Sequence, residues 1–276
     1  MSRWNLARER YALATCAPRG DARFESRWTR VRGIRLHDRA SLHSPPGVLP
    51  VVLVHGLAVS HRYLMPLAAQ LASRYPVRAV DLPGFGLSGE PGRVLDVAEL
   101  ADWLAEWLTT ARVAPAALLG NSFGCQVIVD LAVRHPTLVR CLVLVGPTMD
   151  PNARSAPRQV LRWLGNLRHE DLLQLPIFLR DVADAGPRRA LRTFRIALRD
   201  PIEDKLPGVR APTLVTRGSR EPVVSPEWLA QAARLLPAGE AAVIPDAPHE
   251  ANYTAAESLS ARVVPFLERV SAHRAG

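Results

Sequence analysis

The sequence predicts an α/β architecture: a mostly parallel sheet with helices on both faces and a smaller helical insertion late in the chain. Three observations carry that prediction. From residue 48 onward, short apolar runs alternate with amphipathic stretches, the pattern of a parallel sheet with crossover helices. The runs are apolar throughout rather than alternating, as strands buried on both faces require. The alternation then breaks once, between residues 145 and 213, over a stretch too long for a single crossover. A length of 276 residues suits one large domain of this class.

Taken in order, residues 1–24 form an extension whose segment WNLARERYALA reads as a short helix packed on the body or on a partner. In RWTRVRGIRLHDRAS (27–41) two short strands turn at Gly33, an antiparallel start to the sheet. Apolar runs at 51–54, 77–80, 116–119, 141–145, 213–216 and 241–244 supply the parallel strands. Helices are expected over 61–74, 96–110, 123–134, 226–236 and 255–270. Residues 25–150 and 207–276 therefore make the core, and 151–206 a helical cap. Within the cap, Leu191, Phe194 and Leu198 form one helical stripe, and Arg188, Arg192, Arg195 and Arg199 form another. The arginine stripe is read either as a solvated face or as a face turned to substrate.

Bulk properties exclude several function classes. No apolar run approaches the ~18 residues of a membrane span, and the N-terminus has no apolar signal core. A cytoplasmic protein without a membrane partner is expected. Cys16, Cys125 and Cys141 show no metal-ligand spacing and fit a reducing compartment; no metal and no cofactor are expected. The net charge is +9, with Lys205 the only lysine. Residues 1–35 hold nine Arg against three acids, and 151–200 ten against five. This excess forms no dense basic run interleaved with aromatics, so nucleic acid is not the expected partner. A small-molecule substrate, drawn as an anion to the 151–200 segment, is.

The chemistry is written in LLGNSFGCQ (118–126). By chance a chain this long shows Gly-x-Ser-x-Gly roughly one time in ten, so the flanks decide. Here an apolar run precedes the motif and a helical pattern follows, the strand–turn–helix setting of a nucleophile elbow at Ser122. A serine hydroxyl needs a base oriented by a third group. His249, in IPDAPHEANY, and Glu221, in RGSREPVVSP, follow the last two strands, where ligands meet an open parallel sheet. Asp150, just past the strand ending at Val145, competes with Glu221 for the third role. His55 suits loop shaping and His61 a pocket wall, while His37, His43, His135, His169 and His273 read as surface or packing residues. Asp81 and Asp246 read as loop-structuring acids. An oxyanion needs two backbone N–H donors, and Phe123 and Leu57 are the expected pair.

On VLVHGLAVS, AVDLPGFGLS, LLGNSFGCQ, RGSREPVV and IPDAPHEANY, the chain resembles the α/β-hydrolase superfamily, in its serine-nucleophile members with a helical cap. The resemblance spans about residues 25–270. It implies an eight-stranded, mostly parallel sheet, a cap after the sixth strand and an acyl-enzyme mechanism. Ser122, His249 and the acid then carry over as the triad, and Leu57 and Phe123 as the oxyanion hole. The chain departs from the family pattern at Glu221 (usually Asp), Cys125 and Pro248 (usually Gly). Asn121 looks like the elbow residue of carbon–carbon bond hydrolases and is expected to position substrate, although Glu250 stands where an aromatic usually follows their histidine. Serine at the elbow argues against haloalkane dehalogenases and epoxide hydrolases. The expected activity is hydrolysis of a small, largely apolar ester, thioester, lactone or activated C–C bond. Acyl transfer or cyclisation in the same pocket is the alternative, and a non-catalytic binding module a third. The sequence is compatible with a homodimer.

Overall fold

The computed structural model describes residues 11–12, 14–15, 23–43 and 45–272. The helix expected in the N-terminal extension, Cys16 and His273 lie largely or wholly outside the described residues. Eight strands form one sheet in the order β1-β2-β4-β3-β5-β6-β7-β8. They are β1 Phe24–Val31, β2 Ile34–Ser41, β3 Val51–Val54, β4 Val77–Val80, β5 Ala116–Asn121, β6 Val139–Val145, β7 Thr213–Gly218 and β8 Gly239–Ile244. β1 and β2 form an antiparallel hairpin, β2 also pairs antiparallel with β4, and every other pairing is parallel.

The period of two along each strand divides the interior into two cores. Val52 and Val54 of β3 join Leu118, Leu142, Leu144, Trp107 and Trp228 on one face of the sheet. Val51 and Leu53 join Leu119, Val143, Tyr63, Leu67 and Phe266 on the other. Because both faces are covered, central strands are buried at every position, which is why their sequences run apolar without alternation. The Val97–Thr110 helix starts at a capping box, Asp96 accepting from Glu99 N and Glu99 from Asp96 N. Such caps stabilise by about 1 kcal/mol.

Element boundaries differ from the sequence reading where packing overrides local pattern. The helix expected over 61–74 is a 3-10 turn, His61–Leu64, followed by Met65–Leu71. The helix expected over 255–270 is a short turn, Ala251–Thr254, and a long helix, Ala256–Ala272. Between β6 and β7 the chain folds into three helices of more than two turns each, Ala156–Leu167, Leu175–Ala185 and Pro187–Arg199. The rings of Trp163 and Phe178, 5.5 Å apart, join the first two.

Candidate active site

Strands β3, β5, β6, β7 and β8 are neighbours in that order and all run the same way, so their carboxyl ends share one rim. The loops leaving that rim carry Leu57, Ser122, Gly146, Glu221 and His249 in turn.

Ser122 sits between β5 and the Phe123–Arg134 helix with φ 55° and ψ −119°. A non-glycine residue held there stores about 1–3 kcal/mol of strain. The two flanking glycines make the turn possible. A Cβ on Gly120 would lie 2.7 Å from the Gly124 carbonyl, and one on Gly124 would lie 2.5 Å from Val54 O. Backbone is therefore packed on backbone on both sides of the serine, and Gly-x-Ser-x-Gly is the sequence trace of that packing.

His249 Nδ1 is hydrogen-bonded to Glu221 Oε1, with both side chains buried. Glu221 is itself held, since Gly218 N donates to its Oε2 at 3.1 Å and Arg217 donates to its carbonyl oxygen. His249 N donates to Asn166 Oδ1 at 3.0 Å. Asp150, the competing acid, points elsewhere: it accepts from Arg162 at 2.8 Å and from Asn152 N at 2.9 Å. With Nδ1 committed to Glu221, Nε2 is the nitrogen left for a reacting hydroxyl. Ser122 and His249 line the same cavity, although among the described residues no hydrogen bond joins them. In unliganded sites such bonds are often long and tighten with substrate. Burial opposes charge on His249, but the charge and hydrogen bond of Glu221, helped by Glu170, prevail and hold the imidazole above its ordinary pKa of 6.5.

Leu57 and Phe123 both line the cavity beside Ser122. As the first residue of its helix, Phe123 has an N–H without an intrahelical acceptor. Asn121 lines the cavity too, but its side chain is engaged with protein. Its Nδ2 donates to Val145 O at 3.1 Å and His249 O at 3.3 Å, and its Oδ1 accepts from Tyr63 at 2.8 Å. That leaves no N–H for a ligand, so the geometry makes Asn121 a brace for the histidine loop.

The cavity measures about 360 Å³ and is largely apolar. Leu57, Ala58, Val59, Phe123, Met149 and Val223 line its core side, and Val160, Trp163, Phe178, Val182, Ala190 and Phe194 its insertion side. No Arg or Lys is among its lining residues. The expected arginine stripe is exposed and outside the wall, because its helix turns Ala190 and Phe194 toward the cavity instead. Its solvated-face reading is the one the geometry matches.

His61 does not line the cavity. Its Nδ1 and that of His37 both hydrogen-bond Asp81 Oδ2 at 2.8 Å, and Asp81 Oδ1 accepts from His61 N at 2.7 Å. These three residues have the composition of a metal-ligand set. Their facing atoms are already spent on one another, riveting the loop after β4 to β2. His55 shapes its loop as expected, with Nδ1 on Gly56 O at 2.7 Å and Nε2 accepting from Leu82 N at 3.0 Å.

Sequence reasoning missed Tyr63, Gly146, Asn166 and Glu170. Tyr63 accepts from Gly56 N at 2.7 Å and so ties the Leu57 loop to Asn121. Asn166 lies in the last turn of the Ala156–Leu167 helix and Glu170 four residues on, past its end, and Glu170 accepts from Asn166, Glu250 N and Thr254. Only that i,i+4 spacing hinted at them.

Comparison with known proteins agrees with this architecture. Residues 51–262 match a family profile described as "Alpha/beta hydrolase family". The chain is similar to an (E)-2-((N-methylformamido)methylene)succinate hydrolase of Acinetobacter baylyi, with 26% identity over 79% of this chain and 90% of that protein. It is also similar to a pimeloyl-[acyl-carrier protein] methyl ester esterase of Neisseria meningitidis, with 29% identity over 85% and 98% of the two chains. Among solved structures, that of E-2-(acetamidomethylene)succinate hydrolase superposes with a TM-score of 0.75 and 25% identity, covering 89% of this chain and 99% of that one.

Proposed function

Because the chain belongs to the alpha/beta hydrolase family, we propose that it is a serine hydrolase that cleaves small, largely apolar esters through an acyl-enzyme. One observation carries the reading: a strained serine and a carboxylate-tethered histidine line the same apolar cavity. Ser122 Oγ attacks the carbonyl carbon while His249 Nε2 takes its proton. The N–H groups of Leu57 and Phe123 receive the charge that develops on the carbonyl oxygen. Collapse expels the alcohol, which leaves with the proton from His249. Water, deprotonated by the same imidazole, then releases the acid and restores Ser122. Glu221 keeps Nε2 oriented and stabilises the imidazolium in both halves. The helices inserted between β6 and β7 act as a cap that supplies half of the apolar wall.

Ester cleavage is favoured over a succinate-like substrate by the wall itself. A succinate is a dicarboxylate, and an apolar cavity without Arg or Lys offers a second carboxylate no counter-charge. The test is a panel of short p-nitrophenyl esters, thioesters, lactones and succinate-type substrates, run with the wild type and Ser122→Ala. Ester turnover is expected, with kcat/KM falling by at least roughly 10³-fold in Ser122→Ala. A fluorophosphonate should label Ser122 in the wild type. Full turnover by Ser122→Ala would remove the mechanism.

A further inference from the structure

Beside His249, where the sequence breaks the family pattern, Glu250 lines the cavity. Its backbone N–H is bound by Glu170 Oε1 at 2.9 Å, which fixes the start of the side chain. Among the described residues nothing hydrogen-bonds its carboxyl group. Burial, reinforced by the neighbouring charges of Glu170 and Asp181, pushes Glu250 well above the usual carboxylate range. The cavity thus holds an acid with no hydrogen-bond partner among the described residues, no Arg or Lys in the wall to neutralise it, and five aromatic side chains, Tyr63, Phe123, Trp163, Phe178 and Phe194.

These surroundings rank ligands by charge. An anion finds no Arg or Lys in the wall and meets Glu250 there. A neutral group receives at most one hydrogen bond from the protonated carboxyl. A cation gains a carboxylate, once Glu250 releases its proton to solvent, together with aromatic faces that attract positive charge. Resting on the serine-hydrolase reading above, we propose that the substrate carries a protonated amine or quaternary ammonium group, and that Glu250 is the residue that receives it.

The test compares three esters of one acid with alcohols of matched shape: a trimethylammonium ethyl ester, its uncharged tert-butyl isostere and a carboxylate analogue. For the wild type, kcat/KM should be at least roughly tenfold higher for the ammonium ester than for the isostere, with the carboxylate lowest. In Glu250→Gln the ratio of ammonium to neutral ester should fall to about one, whereas Glu250→Asp should keep part of it. The ratio is internal, so a general loss of catalysis next to His249 cancels. If Glu250→Gln does not fold, inhibition of the wild type by choline against its tert-butyl alcohol isostere reads the same preference. Equal or reversed preference in the wild type, or a preference kept in Glu250→Gln, overturns the proposal. Ser122→Ala separates the two readings. Loss of turnover in it without any charge preference in the wild type defeats only this inference, whereas turnover retained in it defeats the hydrolase reading.

Discussion

At the scale of single residues, the proposed chemistry depends on the proton balance of His249. Only the neutral imidazole can take a proton from Ser122, and the Glu221 carboxylate favours the charged form. The acid limb of the kcat/KM profile should therefore lie above the ordinary histidine value of 6.5. Glu221→Gln removes the attraction and leaves the cost of burial. Its limb should move to lower pH, while the plateau falls by roughly 10²–10⁴-fold. The sign for stability is opposite. A pKa raised in the folded state means that the fold holds the proton more tightly than the unfolded chain does. The contribution is complete below the unfolded value and is lost as pH rises through the folded one, so the pair stabilises least where catalysis is fastest. Paired pH–rate and denaturation profiles of the wild type and Glu221→Gln check both statements; an acid limb that does not move in the variant would show that Glu221 does not act on His249.

At the scale of elements, the site is a set of strand ends whose spacing depends on backbone contact. Gly146, the residue after β6, has φ 59°, and a Cβ there would stand 2.9 Å from His249 Nδ1 and 3.1 Å from Glu221 Oε1. Gly146→Ala should displace the histidine–glutamate pair and lower kcat by roughly 10–100-fold. The left-handed backbone adds a loss of about 1–2 kcal/mol in unfolding free energy. Steady-state kinetics with urea denaturation measure both, and an unaltered kcat would mean the pair tolerates displacement. Much of this was legible in the sequence because continuous apolar runs, Gly-x-Ser-x-Gly and residues following strand ends each report a strong local requirement. Glu221 could not be separated from Asp150 that way, since both follow strands and only loop geometry turns one toward His249. Gly146, Tyr63 and Asn166 were not legible either, because each matters through a neighbour remote in sequence. The arginine stripe left two readings open for a related reason, the solvated one being the match: helical periodicity shows that a face exists, not which way the helix is turned.

At the scale of the whole molecule, the inserted helices must stay on the sheet rim for the cavity to have its second wall. A buried ion pair is one of its fastenings, beside the hydrogen bonds of Asn166 and Glu170 to the histidine loop. Asp181, on the Leu175–Ala185 helix, accepts from Arg62 and from Ser60 at 2.9 Å, and Arg62 also donates to Asp184 at 2.8 Å. The Arg62 side chain is only 6% exposed and that of Asp181 is fully covered, so neither charge has water to fall back on. Asp181→Ala leaves the buried guanidinium with only the half-buried Asp184 for a partner and strands the Ser60 hydroxyl. Breaking such a pair costs about 3–5 kcal/mol when the structure cannot relax, and less when it opens locally. The location of the pair makes local opening the cheaper response, with the insertion lifting from the rim and Arg62 gaining solvent. Asp181→Ala should therefore lose hydrogen-exchange protection across 156–199 and raise KM for apolar esters more than it lowers kcat. The double variant Arg62→Met/Asp181→Leu removes both charges and should recover most of the protection, because apolar residues of similar volume replace a buried pair with little loss. Protection and KM in Asp181→Ala equal to the wild type would mean that the insertion's other contacts hold it without this pair. Recovery absent from the double variant would mean that this fastening needs the charges themselves.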